Sequence, residues 1–194
     1  MGFCWEEIWD GFVAISQSLK THRFLDGPCV LVHGDLREYN ILAEVRDSKC
    51  VEITGILDWD EAIIVPQFVA YRAPFWLWIA EDSSSDDLEN ETNALLEPTT
   101  PKDQELKRVF IETASEEYKR FAFAPEAMLA RRMYYILQRG IFREWSVFEA
   151  KAIISEWDVL HPEDGVALVD DEFDDYSETS DASSEHSSVV ERQI

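Results

Sequence analysis

Positive charge is scarce in this chain: 17 Lys or Arg stand against 40 Asp or Glu in 194 residues, for a formal net charge of −23. A groove that follows nucleic-acid phosphates needs clustered Lys and Arg, so nucleic acid is not an expected partner. Cysteine is also sparse. Cys4, Cys29 and Cys50 share no C-x-x-C spacing, which argues against a disulfide framework or zinc site and for a reducing, cytoplasmic setting. No run is long and apolar enough to span a bilayer. The most apolar stretch, Phe68 to Ala80, is interrupted by Arg72 and Pro74. The first residues, Met1 to Glu7, have no basic start and no long apolar run, unlike a signal peptide. Myristoylation at Gly2 would need Ser or Thr where Glu6 stands. The seven glycines, at positions 2, 11, 27, 34, 55, 140 and 165, form no close pair of the kind that cradles phosphates.

What the chain does have is unevenly spread. From Glu163 to Ile194 there are eleven Asp or Glu and one Arg, with Ser-rich runs and few large apolar residues. Such a segment cannot bury enough surface to offset its ordering entropy. Residues 163–194 therefore read as a disordered acidic tail, and residues 1–162 as a single folded domain. The acidity itself is compatible with cationic partners but is more simply a matter of solubility.

Within the domain, Trp5, Ile8, Trp9, Phe12, Val13, Ile15, Ser16 and Leu19 recur mostly three and four apart, which predicts an amphipathic helix ending before Phe24. Gly27-Pro28 then breaks the chain. Short strands are expected over 29–33, 40–45 and 51–57, the last two joined as an antiparallel hairpin around Asp47-Ser48. Residues 66–80 are aromatic-rich and helical in part, and 81–101 read as a polar surface loop. Helices are expected over 103–121, from Pro125 to Gly140, and over 146–157. The fold class is α+β and mainly helical.

The chemistry concentrates in Leu31-Val32-His33-Gly34-Asp35-Leu36-Arg37-Glu38-Tyr39-Asn40-Ile41-Leu42, whose skeleton is H-x-D-x-x-x-x-N between two apolar strands. Eighteen residues after Asn40, a second acid follows in Gly55-Ile56-Leu57-Asp58-Trp59-Asp60-Glu61-Ala62. Taken singly, Asp35 and Asp58 are ordinary turn or strand-end residues, Asn40 a cap and His33 a bonded core residue. Their joint spacing changes the reading. A hydroxyl nucleophile needs a carboxylate within hydrogen-bond reach, and magnesium needs hard oxygen ligands such as a carboxylate and a side-chain amide.

Together these segments resemble the catalytic loop and metal-binding Asp motif of the protein-kinase-like superfamily, in its aminoglycoside phosphotransferase and choline kinase branch. The likeness covers Val30 to Ala62 by motif and the later helices only by character. It implies a kinase-like C-terminal lobe that uses ATP and Mg2+ to phosphorylate a small-molecule hydroxyl. By that resemblance Asp35 is the catalytic base, and Asn40 and Asp58 bind the metal and, through it, the nucleotide. His33 braces the loop. Trp59 stands where protein kinases have the Phe of D-F-G, which favours a small-molecule substrate. Arg37 stands where many protein kinases have a phosphate-contacting Lys.

A nucleotide-cradling N-terminal lobe would need far more chain than the thirty-odd residues before His33. The expectation is therefore a truncated lobe, weakly active or inactive alone, with apolar surface open to a protein partner near the first helix and the strands. Two alternatives stand beside it: a non-catalytic binding or regulatory module, and a metal-dependent hydrolase using His33, Asp35 and Asp58.

Overall fold

The computed structural model describes residues 5–79 and 91–166. The expected disorder of the tail thus concerns residues that, from 167 on, lie outside the described ones, as does most of the acidic 82–91 stretch. The architecture is α+β and mainly helical. Among the described residues, no helix is long and apolar enough to cross a membrane.

Helix α1 (Trp5–Thr21) buries Ile8, Phe12, Ile15 and Leu19 on one face, as the three-and-four spacing requires. Gly11 sits where a β-carbon would come within 2.6 Å of the Ile154 side chain, so its small size sets how closely α1 approaches the last helix. The α1 terminus closes with Phe24 N–H to Leu19 O and Arg23 N–H to Lys20 O. Arg23 adopts φ +62° at the position where this closure usually has glycine.

Among the described residues, four strands form two antiparallel pairs. Strand β1 (Cys29–Val32) pairs with β4 (Ile63–Pro66), and β2 (Ile41–Asp47) with β3 (Cys50–Ile56). The expected hairpin is present, its turn fixed by Lys49 N–H donating to Asp47 Oδ1 at 2.7 Å. Strand β4 was not expected: it is four residues long and runs directly into Pro66 and helix α2 (Gln67–Ala70).

The second half is helical. The single helix expected over 103–121 is two, α3 (Pro101–Thr113) and α4 (Glu116–Phe123). The break is at Ala114-Ser115, both extended, where the Ser115 hydroxyl accepts from Tyr118 N–H at 3.1 Å and caps α4. Helix α5 (Pro125–Arg139) starts on its proline and stops at Gly140, which takes φ +82°. Helix α6 (Glu144–Leu160) is longer at both ends than the expected 146–157.

The main core joins α1, α5 and α6 with Val65, Phe68 and Val69. A smaller cluster gathers Phe75, Trp78, Ala94, Ala122 and Met128, so Phe75 and Trp78 are packing residues. Each fully buried large side chain, such as Ile153, Ile154 or Trp157, contributes about 1.5–3 kcal/mol by removal from water. The packed body continues beyond α6 through a 3-10 turn, Pro162–Asp164, to the buried Val166.

Between the two clusters lies a buried ion pair. Arg131, on the apolar face of α5, is fully buried and its Nε donates to Glu91 Oε2 at 2.5 Å. Burial pushes the Arg131 pKa down, and Glu91 opposes that shift. Arg72 Nε lies 2.9 Å from the other Glu91 oxygen. Glu91, within the 81–101 stretch read from sequence as a polar surface loop, is instead a core anchor. Nothing in the local sequence distinguishes it from its acidic neighbours.

Candidate active site

The candidate residues sit where β1 ends, where β2 begins and where β3 ends. Strand β1 delivers His33, Gly34 and Asp35 to a corner, and a 3-10 turn, Glu38–Asn40, leads into β2. Gly34 takes φ +87°, and a β-carbon there would lie 2.3 Å from the Glu61 carbonyl oxygen. Only glycine allows this approach, and the approach brings the two motifs together.

His33 is buried beneath the loop. Its Nε2 is 2.6 Å from the Leu57 carbonyl oxygen. A carbonyl can only accept, so Nε2 carries the proton and donates. The His33 ring also leans on Trp59, with centroids 4.7 Å apart, and the indole N–H of Trp59 donates to Ile56 O at 2.9 Å. On the other side, Leu57 N–H donates to Asn40 O at 2.9 Å. Both backbone groups of Leu57 are therefore held by the first motif, one residue before Asp58.

Asn40 is buried. Its amide nitrogen donates to the Asp35 carbonyl at 2.8 Å and lies 3.4 Å from Asp35 Oδ2. That contact fixes the side-chain orientation and leaves the amide oxygen as the atom Asn40 can offer. The Asp35 carboxylate is partly exposed and has Arg37 Nε 3.8 Å from Oδ1. The Tyr39 hydroxyl donates to it at 3.2 Å. Arg37 in turn lies with its guanidinium carbon 5.9 Å from the Trp76 ring centre. Asp58 is exposed and adopts φ +60°, a left-handed conformation in which Asp is several-fold enriched among non-glycine residues. Such outliers cluster at functional sites.

Asp35 and Asn40 are thus in direct contact, with Arg37 and Tyr39 beside Asp35, while His33 and Asp58 are tied to them through the backbone of Leu57 and Trp59 packs on His33. Sequence reasoning missed Tyr39 and the Glu61 carbonyl. Tyr39 occupies an unspecified position of the motif, and a backbone carbonyl leaves no mark in the letters. A cleft of about 710 Å³ lies elsewhere, lined by residues of α5 and α6 including Arg132, Tyr135, Trp145 and Phe148. It contains none of the candidate residues.

No family model matches the chain, and no solved structure matches it. Over 49 residues it is 43% identical to clavilactone A biosynthesis cluster protein Y of Ampulloclitocybe clavipes. The aligned stretch is 25% of this chain and spans only 11% of that protein.

Proposed function

We propose that this chain is a C-terminal lobe of the aminoglycoside phosphotransferase kind, whose family activity is transfer of the ATP γ-phosphoryl group to a small-molecule hydroxyl. One observation carries the reading. The residues of two separate motifs meet at a corner built by Gly34 against Glu61, His33 on Leu57, and Leu57 on Asn40. An accidental match of letters gives no reason for the fold to clamp them together.

The donor set fits magnesium. Asn40 has its nitrogen committed to Asp35 and its oxygen to offer, and Asp58 adds a carboxylate, both of them hard oxygen ligands. Magnesium and ATP would supply charge neutralisation and the phosphoryl group. The chain's own residues would do the rest. Asp35 would accept the proton of the substrate hydroxyl. Tyr39 and Asn40 would hold the Asp35 carboxylate in place. His33 and Trp59 would keep the Leu57–Asp58 backbone from drifting, and Arg37 would meet phosphate charge. The partial relative's name, a clavilactone A biosynthesis cluster protein, agrees with a small-molecule substrate.

A second reading has its own support. Leu42, Val45, Val51 and Ile53 on the hairpin are all exposed. A lobe that keeps the corner and docks this face on a protein partner would be a binding or regulatory module. ATP turnover separates the two. The chain alone is expected to turn over slowly or not at all. Fused behind a nucleotide-binding lobe of the family, it is expected to transfer phosphate to some member of a hydroxyl-compound panel, and to lose that activity in Asp35→Asn. Equal turnover in wild type and Asp35→Asn would refute the phosphotransferase reading. An inert fusion that still binds a protein partner through the hairpin would favour the module.

A further inference from the structure

We infer that His22, His161 and Glu163 form a binding site for a divalent transition metal, zinc above all, that fastens the chain after α6 to the end of α1. None of these three residues belongs to the candidate active site. The His161 imidazole lies between two carboxylates. His161 is 9% exposed. Its Nδ1 lies 3.2 Å from Glu163 Oε1 and its Nε2 3.3 Å from Glu126 Oε1. A neutral imidazole has one N–H and can satisfy only one of these oxygens. Of the two nitrogens, only Nδ1 meets its carboxylate in hydrogen-bond geometry, while the buried Nε2 has no hydrogen-bond partner; with the proton on Nε2, the Nδ1 and Glu163 lone pairs face one point that a cation would join.

A second imidazole faces the same place. The His22 ring is 4.7 Å from that of His161, tilted by 37°. One ligand atom from each of His22, His161 and Glu163 lies within 4.8 Å of the others. With zinc–ligand bonds near 2.0–2.1 Å, the ligand atoms of a tetrahedral site are separated by about 3.3 Å. The His161–Glu163 pair already has that spacing. His22 and Glu163 are exposed and free to close the remainder by side-chain rotation, leaving a fourth position for water.

Helix geometry adds to this. His22 follows Thr21 at the close of α1, and His161 is the C-terminal cap of α6. Two 17-residue helices therefore converge on their negative ends, where a cation is favoured. The His22 carbonyl is already taken by Arg120 at 2.5 Å, which leaves the ring as the group His22 can offer. The nearby Asp164 carboxylate is committed to the Trp157 indole N–H at 3.0 Å. Glu126 Oε1, 3.3 Å from His161 Nε2, stands where an outer carboxylate commonly stands behind a metal-bound histidine. Two imidazole nitrogens and one carboxylate suit zinc, copper or nickel better than magnesium or calcium. Counting cysteines, as the sequence reading did, cannot detect such a site.

The test is zinc titration of the chelator-treated full chain by calorimetry, with excess magnesium present to occupy oxygen-only sites, followed by melting with and without zinc. One zinc per chain is expected, with a rise in melting temperature. His22→Ala and Glu163→Gln, both at exposed positions, are expected each to lower affinity at least ~10-fold and to abolish the zinc-dependent rise. Affinity unchanged in both variants would overturn the proposal, since binding by carboxylates elsewhere in this acidic chain would survive both substitutions. So would an NMR spectrum in which both His161 nitrogens are protonated at neutral pH and unmoved by zinc, because the cation would then be a second proton.

Discussion

The helices α1, α5 and α6 and the hairpin β2–β3 are both rich in large apolar residues, yet they use them in opposite ways. Ile8, Ile15, Ile153, Ile154 and Trp157 are completely hidden from solvent. On the hairpin no residue is buried, and Val45, Val51 and Ile53 are each more than 60% exposed. A two-stranded ribbon is marginal by itself. This one is held at its base, by Leu57 on Asn40 and His33 on Leu57. The body thus draws its stability from burial, whereas the hairpin's position depends on a few corner bonds among the very residues that carry the candidate chemistry. The open apolar face is what a covering lobe or partner would bury.

Single substitutions separate the body from the corner and the hairpin. In the lobe-fused protein, Asp35→Asn should cost ~10²–10⁴ in phosphoryl transfer and leave the melting of the body unchanged, read by rate and calorimetry on one preparation. Trp157→Ala should destabilise the body by about 3–5 kcal/mol through lost burial and a cavity, measured by denaturant unfolding. Arg131→Ala should cost a similar ~3–5 kcal/mol, because it takes from the buried Glu91 the fully buried one of its two arginine partners; a near-neutral effect would mean that Arg72 alone satisfies Glu91. Gly34→Ala should cost about 1–3 kcal/mol by forcing the corner away from Glu61, and should speed hydrogen exchange at the Leu57 amide. Ile53→Ser should change stability by no more than ~0.5 kcal/mol while reducing self-association. A large loss there would show that the hairpin face is already packed against something in solution.

Much of this was legible in the sequence where one residue type has one local job. Pro125 and Gly140 bounded α5, the spacing from Ile8 to Leu19 gave the buried face of α1, and Asp47 marked the hairpin turn. The candidate corner was legible as a motif because loop spacing dictates which side chains can meet. Other features were not, because they depend on distant partners. Ser115 reads as one more helical residue until its hydroxyl is seen capping α4. Glu91 reads as solvated until Arg131 reaches it across forty residues. Strand β4 has no identity of its own without β1 beside it.

In the proposed function, Asn40 and Asp58 offer their oxygens to one divalent ion beside Asp35. Manganese binding, followed by paramagnetic resonance on the full chain with zinc already supplied, addresses it directly. With ATP present to supply phosphate ligands, one manganese site is expected, weakened at least ~10-fold by Asn40→Ala and by Asp58→Asn and untouched by Glu163→Gln. Affinity that is indifferent to both corner substitutions would contradict it.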